Sequence, residues 1–277
     1  MKAQMNILSA KDVKIGYDDK IIVEQLSLEI ETGKITTIIG PNGCGKSTIL
    51  KALARLNKVK AGAVYLDGEA IQKIPTKKIA KKMAVLPQSP DAPSGLTTYD
   101  LVSYGRSPHQ VGFGRLGEKD KEIIDWALEV TGLTEWKYQE VDTLSGGQRQ
   151  RAWIAMAIAQ ETELLLLDEP TTYLDMAHQL EVLQLLKKLN EEEKRTIVMV
   201  IHDLNHASRF SDKMIAMKKG KLRKEGTPNE VMTAEVLKDV FQVDAEIVTD
   251  PRTNKPACLS YDLLGAEMRN TGVLSRG

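Results

Sequence analysis

The run Ile35-Thr36-Thr37-Ile38-Ile39 has almost no polar face and feeds straight into Gly40-Pro41-Asn42-Gly43-Cys44-Gly45-Lys46-Ser47, which fits the pattern G-x-x-x-x-G-K-[ST]. A strand apolar on both sides must be covered on both sides, so the chain needs an α/β sheet. Glycines let backbone N–H groups close around phosphate oxygens without a Cβ in the way. Lys46 to Leu56, with Ile49, Leu50, Leu53 and Leu56 at helical spacing, would present the positive end of a helix to the same spot. The competing reading is a chance glycine turn ahead of a helix. The four fixed positions would recur by accident in about one or two chains per hundred of this composition, and the flanking strand and helix lower that further. In such a loop the Lys46 ammonium would bridge the β- and γ-phosphates, and the Ser47 hydroxyl would hold a magnesium ion.

The rest of the chain agrees with that class. Its 277 residues give ample length for a sizeable core, and 42% hydrophobic with 27% charged residues argues against disorder. No apolar run approaches the ~18 uninterrupted residues of a membrane span. Met1 to Lys14 lacks the apolar core of a secretory signal. Lys+Arg and Asp+Glu each number 38, which excludes a chain-wide polycation, and no nucleic-acid partner is expected. Two cysteines, Cys44 and Cys258, are too few for a disulfide framework or a four-thiolate zinc site, so a reducing compartment is the plain reading. His202 and His206 lie four apart without an HExxH pattern, and a structural metal is not expected.

Periodicity sketches the elements. Leu26, Leu28 and Ile30 alternate with polar neighbours as in a half-buried strand, and Ala63 to Leu66 reads as a strand ending at the Asp67-Gly68 turn. From about 90 to 143, Pro90, Pro93, Gly95, Gly105, Pro108, Gly112, Gly114 and Gly117 punctuate the chain and helical patterns replace strands. One of these, Asp120 to Gly132, puts Ile123, Ile124, Ala127 and Leu128 on one stripe, so the stretch reads as a helical insertion. The α/β pattern then returns with a strand at Leu164–Leu167, an amphipathic helix over 177–190, an apolar strand from Thr196 to Ile201, and a hairpin from Ser211 to Arg223. The tail from about Asp244 is weakly patterned. Lys73, Lys77, Lys78, Lys81 and Lys82 read as a solvated helix face.

Two further motifs carry chemistry. Leu164 to Leu167 ends in Asp168-Glu169, which places a carboxylate at the C-terminal edge of the sheet, where ligands of open α/β sheets sit. Asp168 would reach the magnesium ion, and Glu169 would orient and deprotonate the attacking water. Taken alone, such a pair is more often a strand leaving the core; the glycine loop raises its weight. Leu144-Ser145-Gly146-Gly147-Gln148 would arise by accident in about three chains per ten thousand. It looks like a second anion cradle, with Ser145 as N-cap, Gly146 and Gly147 exposing amides, and a helix over 148–160.

In the order of these three motifs the chain resembles the ATP-binding cassette (ABC) ATPases over roughly residues 10–235. The resemblance implies a P-loop NTPase cassette of α/β class, with a RecA-like core, an N-terminal antiparallel β subdomain and a helical subdomain at about 90–160. It implies an ATP-binding domain at residues 1–240 and a C-terminal extension at 241–277. Tyr17 matches the aromatic that stacks on adenine, Gln88 the glutamine that senses Mg²⁺ and a membrane subunit, and Asp175 the loop that couples two sites. His202 matches the histidine at the γ-phosphate, whereas His178 and His206 read as ordinary surface or capping residues.

Two copies would then pack head to tail around two ATP molecules. Gly40, Pro41, Asn42, Gly43, Cys44, Gly45, Lys46, Ser47 and Thr48 of one copy would face Ser145, Gly146, Gly147 and Gln148 of the other, with Ser47, Gln88 and Asp168 at the metal. Such a pair would sit on integral-membrane permease subunits at the cytoplasmic face, served indirectly by an extracytoplasmic substrate-binding protein. Ser103 to Gln110 and Thr171 to Leu180 look like the importers of iron(III)-siderophores. Haem and cobalamin importers, and a soluble ABC ATPase of iron–sulfur assembly, are the alternatives. Finally, Cys44 among loop amides beside Lys46 is expected to have a depressed thiol pKa.

Overall fold

The computed structural model describes residues 6–88, 90, 92–110, 116–172 and 174–264. Gly112, Gly114, Tyr173 and the tail after 264 lie outside them. Along the chain run β1 (Asn6–Tyr17), β2 (Lys20–Glu31), β3 (Ile35–Ile39), α1 (Lys46–Leu53), β4 (Val59–Leu66) and β5 (Glu69–Ala70). There follow α2 (Thr76–Ala80), β6 (Met83–Leu86), α3 (Thr98–Ser103), α4 (Glu118–Val130), α5 (Gly146–Ala159), β7 (Leu164–Asp168) and α6 (Met176–Glu193). The last third holds β8 (Thr196–Val200), α7 (Leu204–Phe210), β9 (Lys213–Lys218), β10 (Lys221–Gly226), α8 (Pro228–Val231), α9 (Ala234–Phe241), β11 (Val243–Thr249) and β12 (Pro256–Leu263).

A six-stranded sheet in the order β10-β9-β3-β8-β7-β6 forms the centre, parallel except for the β9–β10 hairpin at its edge. Its strands serve two cores by simple alternation. Ile35, Ile39, Leu165, Leu167, Ile197 and Met199 face the helices, while Ile38, Leu164, Leu166, Val198 and Val200 face α1 and the second sheet. Both faces are thus covered, which accounts for the unbroken apolar runs in the sequence. The second sheet, β2-β1-β4-β5, is antiparallel.

Register positions the site. Ile38 pairs with Val200, and Val200 with Asp168, so β3, β8 and β7 end at one level. The chain leaves that edge at Gly40, Glu169 and Ile201, and β6, paired to β7 through Leu86, brings Gln88 to the same edge.

The helical stretch is tied to this centre by a buried cation. Arg106, 3% exposed, donates to Asp120 Oδ1 at 2.9 Å, to Ala159 O at 2.6 Å and to Glu161 Oε2 at 2.9 Å. The preceding Gly105 permits the approach, because a Cβ there would lie 2.2 Å from Met156 O. The predicted stripe Ile123, Ile124, Ala127 and Leu128 is buried on α4.

Some expectations needed correction. The helix read as reaching Leu56 stops at Leu53, because Arg55 takes a left-handed φ of 58°, and Leu56 is left 60% exposed. The lysine cluster spreads over a 3-10 turn, the short α2 and the following turn; Lys82 pairs with Asp67 and Lys77 donates to Gln110 O. The weakly patterned tail folds as the hairpin β11–β12, held by Asn205 of α7, whose side chain donates to Cys258 O at 3.1 Å and accepts from Cys258 N at 2.7 Å. No helix among the described residues is long and apolar enough to cross a membrane.

Candidate nucleotide site

The loop between β3 and α1 needs its glycines. Gly40, Gly43 and Gly45 have φ of 152°, 73° and 105°, a region that side-chain-bearing residues seldom enter. A Cβ on Gly40 would also lie 2.4 Å from Met217 O. Lys46 is buried and folds back over the loop, its Nζ donating to Gly40 O at 2.8 Å and Pro41 O at 3.1 Å.

Ser47 and Asp168 form the second feature. Ser47 Oγ donates to Asp168 Oδ1 at 2.8 Å. The other oxygen, Oδ2, is buried and has no hydrogen-bond partner among the described residues. Burial pushes the Asp168 carboxyl above the usual aspartate range and the neighbouring Glu169 charge adds to this, although Ser47 and the lysines pull it back. A buried carboxylate oxygen without a donor, next to a hydroxyl, is an oxygen set that fits a hard divalent cation.

Glu169 is treated in the opposite way. Its backbone sits at a left-handed φ of 53°, which turns the side chain off the strand line. Oε1 lies 2.6 Å from His202 Nε2, and Oε2 accepts from Gln88 Nε2 at 2.7 Å and Thr172 Oγ1 at 3.0 Å. Burial opposes ionisation, but the donors His202, Thr172 and Gln88 outweigh it and hold the carboxyl below the usual glutamate range. Strand-end residues separated by more than a hundred positions in sequence thus meet on one carboxylate.

Asn42, Gly43, Gly45, Lys46, Ser47, Thr48, Gln88, Glu169 and His202 all line one open cleft of about 700 Å³, together with Lys20, Ile22 and Thr172. The last three were not anticipated. Thr172, three residues beyond Glu169 in a turn, had the only local signal; Lys20 and Ile22 come from the second sheet and had none. Tyr17 is not among the cleft walls. Its hydroxyl accepts from Asn57 Nδ2 at 2.8 Å, and its register partner on β2 is the cleft residue Lys20.

Cys44 requires a correction. Its side chain points away from the cleft into the core that holds Ile38, Ile49 and Leu50, leaving it 3% exposed. Burial raises the thiol pKa and outweighs the nearby Lys46 charge, so the expected depression is reversed. Its backbone N–H is also engaged, donating to Pro41 O at 3.3 Å.

The segment expected to form a second cradle lies elsewhere on the chain, outside the cleft walls. Ser145 caps α5: its Oγ accepts from Gln148 N at 3.3 Å, and Gln148 Oε1 accepts from Ser145 N at 2.9 Å. Gly146 and Gly147 are the first helical residues, whose amides have no intrahelical acceptor. Asp175 caps α6, its Oδ1 accepting from His178 N at 2.9 Å.

A cleft walled by a glycine loop and its lysine, with a hydroxyl–carboxylate pair at the end of a parallel sheet, marks the class of P-loop nucleotide-binding α/β proteins. The ABC transporter family model matches residues 23–172. The chain is 67% identical over 263 residues to the Bacillus subtilis (strain 168) iron(3+)-hydroxamate import ATP-binding protein FhuC, covering 95% of this chain and 98% of that one. Among solved structures, an inward-facing putative metal-chelate type ABC transporter matches with a TM-score of 0.79 at 29% identity, over 92% of this chain and 97% of that chain. A dimeric bacterial ABC transporter cassette matches with a TM-score of 0.70 at 32% identity, over 79% and 98%. The chain belongs to the ABC transporter family.

Proposed function

We propose that the chain is the ATP-hydrolysing subunit of an importer for iron(III)-siderophore complexes, acting as a pair of copies on separate membrane permease subunits at the cytoplasmic face. Residues 1–240 are the ATP-binding unit in this reading and 241–277 an extension. The observation that carries it is the Glu169 carboxylate, held ionised by His202, Gln88 and Thr172 beside the Lys46 loop.

The chemistry follows from those placements. The loop amides and the Lys46 ammonium bind the phosphates, and Tyr17 supports the adenine. Ser47 and Asp168, with Gln88 near them, are the residues that would hold Mg²⁺, which when bound neutralises phosphate charge. Glu169 orients a water and takes its proton at a carboxylate oxygen, while His202 fixes that carboxylate and meets the γ-phosphate. Ser145, Gly146, Gly147, Gln148 and Asp175 lie outside this chain's own cleft, which supports their serving the nucleotide of the second copy. ATP then favours the closed pair because it touches both faces, and loss of phosphate reopens it.

The cargo rests on similarity to FhuC, whose name specifies iron(3+)-hydroxamate import. The second reading is import of haem or cobalamin, which like ferric siderophores are metal chelates, the class named for the structural neighbour. Uptake of labelled ferric hydroxamate, haem and cobalamin by a deletion strain carrying the gene separates these cargoes, and ferric hydroxamate alone is expected to depend on it. Recovery of only soluble partners in a pull-down would instead favour the iron–sulfur assembly role. For the chemistry, Glu169→Gln should lower kcat by about a hundredfold or more and leave ATP affinity within a few-fold. A variant hydrolysing at the wild-type rate excludes Glu169 as the base.

A further inference from the structure

His178, read from the sequence as an ordinary capping residue, has a ring engaged on both sides. Its Nδ1 lies 2.9 Å from Asp175 Oδ1, the same oxygen that accepts its backbone N–H. The opposite edge of the ring covers Gly147: a Cβ there would lie 2.9 Å from His178 Cδ2 and 3.0 Å from Cγ. The ring therefore occupies the space that any side chain at Gly147 would take. One turn further along each helix, Arg151 reaches Glu181 at 3.2 Å, a pair exposed enough to contribute little on its own.

The geometry also shows what the ring does not do. It is 38% exposed, one turn before Val182, and is not among the buried residues Val182, Leu183, Leu186 and Leu189 that seat α6 in the core. Asp175 would keep its backbone cap on α6 without it. Its donors at His178 hold the Asp175 carboxyl below the usual aspartate range, so the charge that anchors the ring is present at neutral pH. The contact thus joins the start of α5 to the start of α6, and both starts lie outside this chain's own cleft.

We infer that His178 is a positioning residue for hydrolysis: through Asp175 on one side and Gly147 on the other it locks the Asp175 loop to the Ser145–Gln148 cradle, so that both meet the partner copy's nucleotide as one body. The inference rests on the proposed head-to-tail pair. Two interactions define the lock. The ring edge sets the spacing to Gly147, and the Nδ1–H donated to Asp175 sets the ring's orientation. An asparagine keeps a donor near the Nδ1 position but loses the ring; a phenylalanine keeps the ring and loses the donor.

The test compares His178→Ala, His178→Asn and His178→Phe in the full chain, with ATP as the probe. His178→Ala is expected to lower kcat roughly tenfold and to flatten the ATP cooperativity of hydrolysis, while ATP binding to the monomer stays within twofold. Each of the other two variants should recover part of the loss. In the Glu169→Gln background, adding His178→Ala should raise the ATP concentration needed for dimer formation about tenfold. A wild-type rate and unchanged dimer formation overturn the inference, as does a parallel loss of thermal stability and monomer ATP binding, which marks a merely structural role. Glu169→Gln alone remaining monomeric with ATP overturns the paired reading and the inference with it; equal dimer formation in the single and double variants overturns the inference alone.

Discussion

Asp168 ends its strand and Glu169 follows it, yet their carboxyls are pushed in opposite directions, because three side chains donate to Glu169 and, among the described residues, only Ser47 donates to Asp168. The buried acid with a free oxygen suits a cation, and the acid surrounded by donors stays a carboxylate able to take a proton from water. The same logic of surroundings governs Cys44. Buried, with a raised pKa, it should resist alkylation in the folded protein, whereas Cys258 is only partly buried. Mass-resolved labelling at neutral pH should show Cys258 modified roughly tenfold faster, and both modified alike after unfolding. Faster labelling of Cys44 would mean that the loop opens in solution.

At the scale of elements, Arg106 is the tie between the helical stretch and the sheet. Arg106→Met leaves Asp120 with little exposure and no cation, at a cost of about 3 kcal/mol. Trp126, Trp136 and Trp153 all lie in or beside the helices it joins, so tryptophan fluorescence reports the loss directly. Acid should act on the same tie. Burial opposes ionisation of Asp120, but hydrogen bonds from Arg106 and the Gly117 amide outweigh it and hold its carboxyl below the usual value. A folded pKa beneath the unfolded one gives stability that is complete above about pH 4 and lost as pH falls through the folded value. The fluorescence change should therefore begin below about pH 4, and Asp120→Asn should remove that acid sensitivity.

Elements with uninterrupted patterns were legible in the sequence. The runs of β3, β7 and β8 and the stripe on α4 announce themselves because each packs on one or two fixed faces. β1 was not, since Asp12 adopts a φ of 48° and register shifts on either side of Val13 break its alternation. β12 was not, because Leu259, Tyr261 and Leu263 remain exposed and leave no inward-facing pattern to read. At the site, Lys46, Ser47 and the buried Asp168 behind it follow from spacing and chemistry. Gln88 and His202 gain a role only through family resemblance, because what unites them is the shared level at which three strands end.

For the whole molecule, the separation of the Ser145–Gln148 segment from the cleft is what the proposed pair accounts for. The Glu169→Gln protein should sediment as a dimer with magnesium ATP and as a monomer with ADP. Ser145→Arg should cost hydrolysis about a hundredfold yet leave monomer ATP binding within threefold, since in the proposed pair its contacts would form only on closure. Equal losses in both would place Ser145 at its own chain's nucleotide. The central strand β3 lies between β8 and β9, both drawn from far later in the chain. During synthesis the glycine loop therefore emerges long before the strands that brace it. A ribosome stalled ahead of Lys213 would hold a nascent chain whose loop already has its sequence but whose supporting strand still has an open edge, prone to pairing with the wrong neighbour.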